Sequence, residues 1–133
     1  MLKTPKNGWS QITIGDWTDR CSYLDDVPYR LLEAVDDTNR THRPTSVKFD
    51  AEGWEYVIVF DTFETHIITC DFYGTWKYIT VDIYIKDIIK ELLSDIRNDL
   101  NAWSEWGYEL REYEIEERKL DLEAWCNVIE KRL

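Results

Sequence analysis

The sequence predicts an α+β fold: an antiparallel sheet of about five strands with helices packed on one face, ending in a long C-terminal helical pair. Three observations predict it. Residues 45–82 are rich in β-branched and aromatic residues broken by short turns. After Ile83 the apolar residues recur at helical spacing. The 133 residues contain no repeat or linker, which predicts a single domain spanning residues 1–133.

The first part of the chain predicts one strand and one helix. The segment WSQITIGDW indicates a strand over Ser10–Gly15, because its β-branched residues end at a glycine. A helix from about Asp26 to Asp37 has Pro28 in its first turn, and Asp25 or Asp26 can cap it. Its apolar residues recur at helical spacing: Val27, Leu31, Leu32 and Val35.

The middle of the chain predicts a meander of four strands from Thr45 to about Asp82. TSVKFDAEGWEYVIVFD is typical of a hairpin, with its turn at residues 51–53. The second run of this hairpin is apolar on both faces, which favours a central strand. ETHIITC and TWKYITVDI supply the remaining two strands, and Ser10–Gly15 would add a fifth.

Two helices follow the sheet. The first runs from roughly Tyr84 to Trp106, with apolar residues at i, i+3, i+4 and i+7. Gly107 then occupies the position of a helix-ending glycine. The second helix runs from about Arg111 to Lys131. The apolar stripes of the two helices assign Trp103 and Trp125 to the core.

Charge restricts the partners. The net charge is −11, and residues 51–133 hold 19 of the 27 acidic residues. Such a chain repels nucleic acid and anionic membranes and attracts basic proteins. Three distant cysteines, Cys21, Cys70 and Cys126, fit no zinc site or disulfide framework, so we expect free thiols and a cytoplasmic location. The N-terminus has no apolar signal-peptide core, and no run is apolar enough to span a membrane.

Catalytic chemistry has little support in the sequence. No catalytic, cofactor or metal motif occurs, so we predict a non-enzyme with no cofactor and no metal. His66 and Cys70 would share one face of a strand about 13 Å apart, too far to form a nucleophile–base pair. The alternative is a small enzyme or ligand-binding domain around His66 and Cys70, with Trp76 and Tyr78 nearby, which requires a deep, partly apolar pocket.

The last helix has an acidic side. At ~100° per residue, four glutamates fall within about 40° of one another, and Lys119 interrupts them: Glu112, Glu116, Glu123 and Glu130. The aromatic residues at the connection before this helix either pack between the helices or stand as exposed anchors among carboxylates. The predicted partner-binding residues are Trp106, Tyr108, Glu109, Glu112, Tyr113, Glu116 and Glu123.

In size, acidity and lack of motifs, the chain resembles the phage-encoded anti-CRISPR and other anti-defence proteins, several of which act as DNA mimics. The resemblance implies a non-enzymatic acidic inhibitor that binds a basic, nucleic-acid-handling protein such as a nuclease or a CRISPR effector. It covers no motif and therefore implies no site residues. An immunity protein against a basic toxin is a neighbouring hypothesis. The expected state is a monomer or homodimer, and an oligomer built through the helical pair is a third hypothesis.

Overall fold

The computed structural model describes all of residues 1–133 and confirms the α+β class. It contains two antiparallel sheets, one of two strands and one of four. The elements, in chain order, are β1 (Trp9–Ile14), β2 (Trp17–Ser22), α1 (Val27–Thr41), β3 (Thr45–Asp50), β4 (Glu55–Phe60), β5 (Glu64–Cys70), β6 (Trp76–Asp82), α2 (Ile85–Asn98), α3 (Leu100–Ser104) and α4 (Glu112–Lys131).

The larger sheet is the predicted meander, with strand order β3-β4-β5-β6. Register sorts its residues onto two faces, since neighbouring side chains on a strand point to opposite sides. Tyr56, Ile58 and Phe60 of β4 lie on the buried core face. The opposite side has no helix on it and is called here the open sheet face. Its members include Val57, Val59, His66, Ile68, Cys70, Trp76 and Tyr78.

The strand β2 is absent from the sequence-based prediction, which placed Ser10–Gly15 in a single five-stranded sheet. Instead β1 and β2 form a separate hairpin, with Ile14 opposite Trp17 and a two-residue turn between them. Gly15 has φ +58 at this turn, and any side chain there would lie 2.8 Å from Val81 of β6. The hairpin therefore lies against the core face of the larger sheet, where the Trp17 and Tyr56 rings pack 5.2 Å apart.

Tertiary contacts explain why β2 lacks an alternating apolar pattern. Its two charged residues are held by other elements rather than by solvent. The Asp19 carboxylate accepts a hydrogen bond of 3.0 Å from the Trp54 indole N–H. The Arg20 guanidinium stacks between the rings of Trp9 and Trp54 and donates to the Ala51 carbonyl at 2.7 Å. Polar residues in a strand are favoured only when such partners exist, and a sequence pattern does not show them.

Helix α1 lies against β3 and β4, and both α2 and α4 pack on α1. The predicted end of α1 at Asp37 is four residues too early, since the helix continues to Thr41. It ends at His42, which adopts the left-handed conformation and donates its backbone N–H to Thr38. Asp26 is the N-cap residue but makes no side-chain capping bond, so the expected cap is not formed there. Its carboxylate pairs with Arg118 of α4 instead.

The predicted long helix from Tyr84 to Trp106 is two helices, because the backbone leaves helical geometry at Asp99 (φ −121°, ψ 34°). The Asp99 carboxylate accepts a hydrogen bond of 2.9 Å from the Thr4 hydroxyl, which anchors the N-terminal segment at the break. α2 buries one apolar stripe, and α3 carries Trp103 into the core. None of the four helices combines the length and apolar character that a membrane crossing needs.

The three thiols give a direct test of this packing. Burial raises the pKa of Cys21 to about 12 and that of Cys126 to about 11, whereas Cys70 lies half-exposed on the open sheet face. Because the thiolate is the reactive form, we expect only Cys70 to react with a chromogenic disulfide reagent near pH 8 in the native protein, and all three thiols to react after denaturation. Native labelling of Cys21 at the rate of Cys70 would contradict the packing.

Candidate functional site

The connection between α3 and α4 separates the three candidate aromatic residues. Trp106 is only 4% exposed, and its indole N–H donates to the Asp25 carbonyl at 2.8 Å. It packs between the helices and is not available to a partner. Tyr108 and Tyr113 are 71% and 57% exposed. The Tyr108 ring stacks on Tyr23, with centroids 6.1 Å apart, so it is oriented although it is largely solvated.

The predicted carboxylates remain on the surface. Glu112, Glu116 and Glu123 are exposed on α4, and Glu109 is exposed on the connection before it. The side chains of these four residues form no ion pair or hydrogen bond with another residue of the chain. Glu130, the remaining member of the acidic line, pairs with Arg97 of α2 at 2.5 Å. Lys119 lies on the same side of α4, between Glu116 and Glu123, so this side is acidic but not uniformly negative.

Glu109 also has an unusual backbone. Its φ of +50° lies in the left-handed region. A residue with a Cβ pays roughly 1–2 kcal/mol there, which glycine would avoid. Asn7, His42 and Glu52 adopt the same left-handed conformation, so the backbone alone does not mark Glu109 as a binding residue.

A second feature of α4 is an apolar stripe that faces solvent. The core side of the helix buries Leu122, Cys126 and Ile129. At ~100° per residue, the opposite side is centred on four other apolar residues. These four residues are Tyr113, Leu120, Ala124 and Val128. All four side chains are exposed, and that of Leu120 is 66% exposed. Sequence reasoning missed the last three, although their spacing of four residues opposite the core stripe was a readable signal.

The exposed residues of this region are called here the α4 surface. Its members are Tyr108, Glu109, Glu112, Tyr113, Glu116, Leu120, Glu123, Ala124 and Val128. A shallow cleft of about 340 Å³ adjoins the stripe, bounded by Tyr29 of α1 and Trp125 of α4. The Tyr29 hydroxyl donates to the Arg118 carbonyl at 3.3 Å. Burial raises the pKa of the Tyr29 hydroxyl. The α4 surface thus combines an apolar centre, an adjacent cleft and an acidic border.

The alternative site on β5 is arranged differently from a catalytic pair. His66 bonds through Nε2 to Glu64 at 3.1 Å and through Nδ1 to the Tyr78 hydroxyl. Cys70 lies at the end of the same strand opposite Trp76, and its thiol contacts the Asp71 carbonyl at 3.7 Å. Both ring nitrogens of His66 therefore bond to residues of its own strand and of β6, and neither bonds to the Cys70 thiol.

The cleft nearest to Cys70 has a volume of about 380 Å³ and opens at the protein surface. Trp54 and Phe72 line it, together with Asp19 and Lys77, but His66 does not. The Asp19 carboxylate is already bonded by Trp54. The two residues on which the enzyme hypothesis depends therefore do not share this cleft.

Comparison with protein-family models, characterised protein sequences and solved structures finds no match to this chain. Within the chain, no group of three or more His, Cys, Asp or Glu side chains is placed to hold a metal ion.

Proposed function

We propose that this protein is a non-enzymatic acidic inhibitor whose α4 surface binds a basic, nucleic-acid-handling protein. One observation carries the proposal: Glu109, Glu112, Glu116 and Glu123 are exposed, lack ion-pair partners in their own chain and border an apolar stripe. An anti-CRISPR or other anti-defence role is the expected biological setting. Occupation of a phosphate-binding groove, as in DNA mimicry, is the expected mode.

The two parts of the surface have different roles in this mode. Charge on an interface rim mainly steers association and selects partners of opposite sign, whereas buried aromatic and aliphatic anchors supply most of the affinity. The glutamates would meet lysine and arginine residues that otherwise contact phosphates. Tyr113 and Leu120 would add apolar contacts with the partner, which the phosphate backbone of a bound nucleic acid cannot make. Their presence favours a protein partner.

The test measures binding to a panel of basic nucleases and CRISPR effectors at low ionic strength. We expect the triple variant Glu112→Lys, Glu116→Lys, Glu123→Lys to lose about 100-fold in affinity, because each reversal replaces attraction with repulsion at the interface. Raising the salt concentration should weaken wild-type binding for the same reason.

A matched control carries the same change in net charge on other surfaces: Glu33→Lys, Glu52→Lys and Asp87→Lys, all exposed and unpaired. With both triple variants measured at about 0.15 M salt, we expect this control to lose less than about threefold in affinity, because long-range charge alone contributes little at that ionic strength. Equal losses in the two variants would assign the effect to net charge and reject the α4 surface. Absence of binding to every basic protein in the panel would reject the function. Protection of a cell from one cognate toxin would identify the immunity-protein form of the same activity.

A further inference from the structure

The strand β6 is an unprotected sheet edge. It pairs with β5 over all seven residues, Trp76 to Asp82, without a bulge, and its other side has no strand beside it. Its sequence, WKYITVD, consists mostly of residues that favour strands and contains no proline. Native proteins blunt such edges with bulges, prolines, several charges or covering segments. β6 has a single lysine, Lys77, and most of its residues are exposed.

The hydrogen-bonding phase of β6 is fixed by its neighbours. The turn before it is closed by a bond from the Asp71 N–H to the Thr75 carbonyl, and β4 and β5 are joined by a bond from Asp61 to Glu64. Antiparallel pairs alternate between bonded and non-bonded positions. Lys77, Ile79 and Val81 therefore bond to β5. The residues whose N–H and C=O groups point away from the sheet are Trp76, Tyr78, Thr80 and Asp82.

We propose that β6 pairs with β6 of a second copy of this chain about a two-fold axis at Ile79, which joins the two sheets into one of eight strands. In this register Tyr78 lies opposite Thr80 of the second copy, and Trp76 lies opposite Asp82. All four outward-facing residues of each strand then find partners. A closed pair of this kind is the commonest symmetry of soluble oligomers.

Charge complementarity selects a second copy as the occupant. Val81 lies opposite Lys77 of the second copy in this register, and Gly15 at the tip of the β1–β2 turn packs against Val81. Asp16 follows Gly15 at that tip. Asp16 and Lys77 are both exposed and unpaired within their own chain. The two-fold axis brings Asp16 of each copy beside Lys77 of the other, which forms two equivalent ion pairs.

The symmetry also orients the helices. A two-fold axis between antiparallel edge strands runs perpendicular to the sheet, so both helical layers lie on the same side of the joined sheet. The two α4 surfaces would then face one side and could engage two sites of one partner at once. The dimer itself does not depend on the proposed inhibitory function, and the test below does not use a binding partner.

The test is the mass of the purified full chain by light scattering, with dissociation followed by dilution. We expect twice the 16.0 kDa of one chain. Thr80→Pro removes an outward N–H that β5 does not use, and we expect it to be a monomer with unchanged circular dichroism. Ser46→Lys, on the other edge strand β3, is the matched control and should remain dimeric.

A charge swap tests the register. Lys77→Glu should weaken the dimer about tenfold, and adding Asp16→Lys to it should restore the wild-type dissociation constant. A monomeric wild type, or a dimer that survives Thr80→Pro, would overturn the proposal. A dimer that is lost in Leu120→Asp but not in Thr80→Pro would assign the interface to α4. Failure of the double variant to recover would reject the two-fold axis at Ile79.

Discussion

Trp103→Ala is expected to lower the free energy of unfolding by about 3–5 kcal/mol, the range for truncating a fully buried large aromatic residue. Trp103 is fully buried on the short helix α3, and its ring lies 5.0 Å from that of Trp106. The truncation would leave a cavity where α3 packs against α4. Urea denaturation followed by circular dichroism measures the loss.

Two comparison variants make this result specific. Trp103→Phe should cost much less than the alanine variant, because the Trp103 indole N–H has no hydrogen-bond partner to lose. Tyr73→Ala removes a large aromatic side chain from a position that is 90% exposed, and surface changes of this kind stay within about 0.5 kcal/mol. Equal destabilisation by Trp103→Ala and Tyr73→Ala would contradict the buried position of Trp103.

The second large effect is a loss of stability at alkaline pH. Burial raises the pKa of the Cys21 thiol to about 12, and burial likewise raises the pKa of the Tyr56 hydroxyl, which donates to the Arg20 carbonyl at 2.8 Å. In the unfolded chain these groups ionise near their ordinary values, ~8.5 and ~10. Above those values the native state holds protons that the unfolded state has released. The free energy of unfolding therefore falls as pH rises.

For Cys21 this loss begins near pH 9 and continues to about pH 12, where the native thiol itself ionises. Each such group lowers the free energy of unfolding by up to about 1.4 kcal/mol per pH unit between its pKa in the unfolded chain and its pKa in the native state. Urea denaturation at several pH values between about 8 and 10.5 measures the slope. Cys21→Ser should make the fall of the unfolding free energy with pH less steep, by the contribution of one titrating group. A stability that is flat across this range would contradict the burial of Cys21.

The fold was predictable where a single periodicity decides the structure. The meander from β3 to β6 and the amphipathic α2 follow directly from their patterns. β2 was not predictable, because Asp19 and Arg20 are compatible with a strand only through contacts with Trp9 and Trp54. The helix break at Asp99 was hidden for a similar reason. Its carboxylate is held by Thr4, which is 95 residues away in the chain.

The candidate site was predictable in its charges but not in its aromatic residues. Exposed glutamates recur at helical spacing, so their common side of α4 could be worked out from the sequence. Trp106 and Tyr108 are close neighbours in the chain, yet one is buried and the other is exposed. The path of the short connection after α3 buries Trp106, because its indole N–H donates to the Asp25 carbonyl just before α1. Local composition contains no information about that contact.

Helix α4 is fastened to α1 near both ends of α1, where Asp26 pairs with Arg118 at 3.2 Å and Asp36 pairs with Arg132 at 2.5 Å. The Asp36 side chain is nearly inaccessible but Arg132 is 39% exposed, so the second pair is only partly shielded from solvent and salt. Helix α4 can therefore move away from α1 as a whole only if both ion pairs break. A partner would therefore meet a helix that is already ordered, and association would lose little backbone entropy.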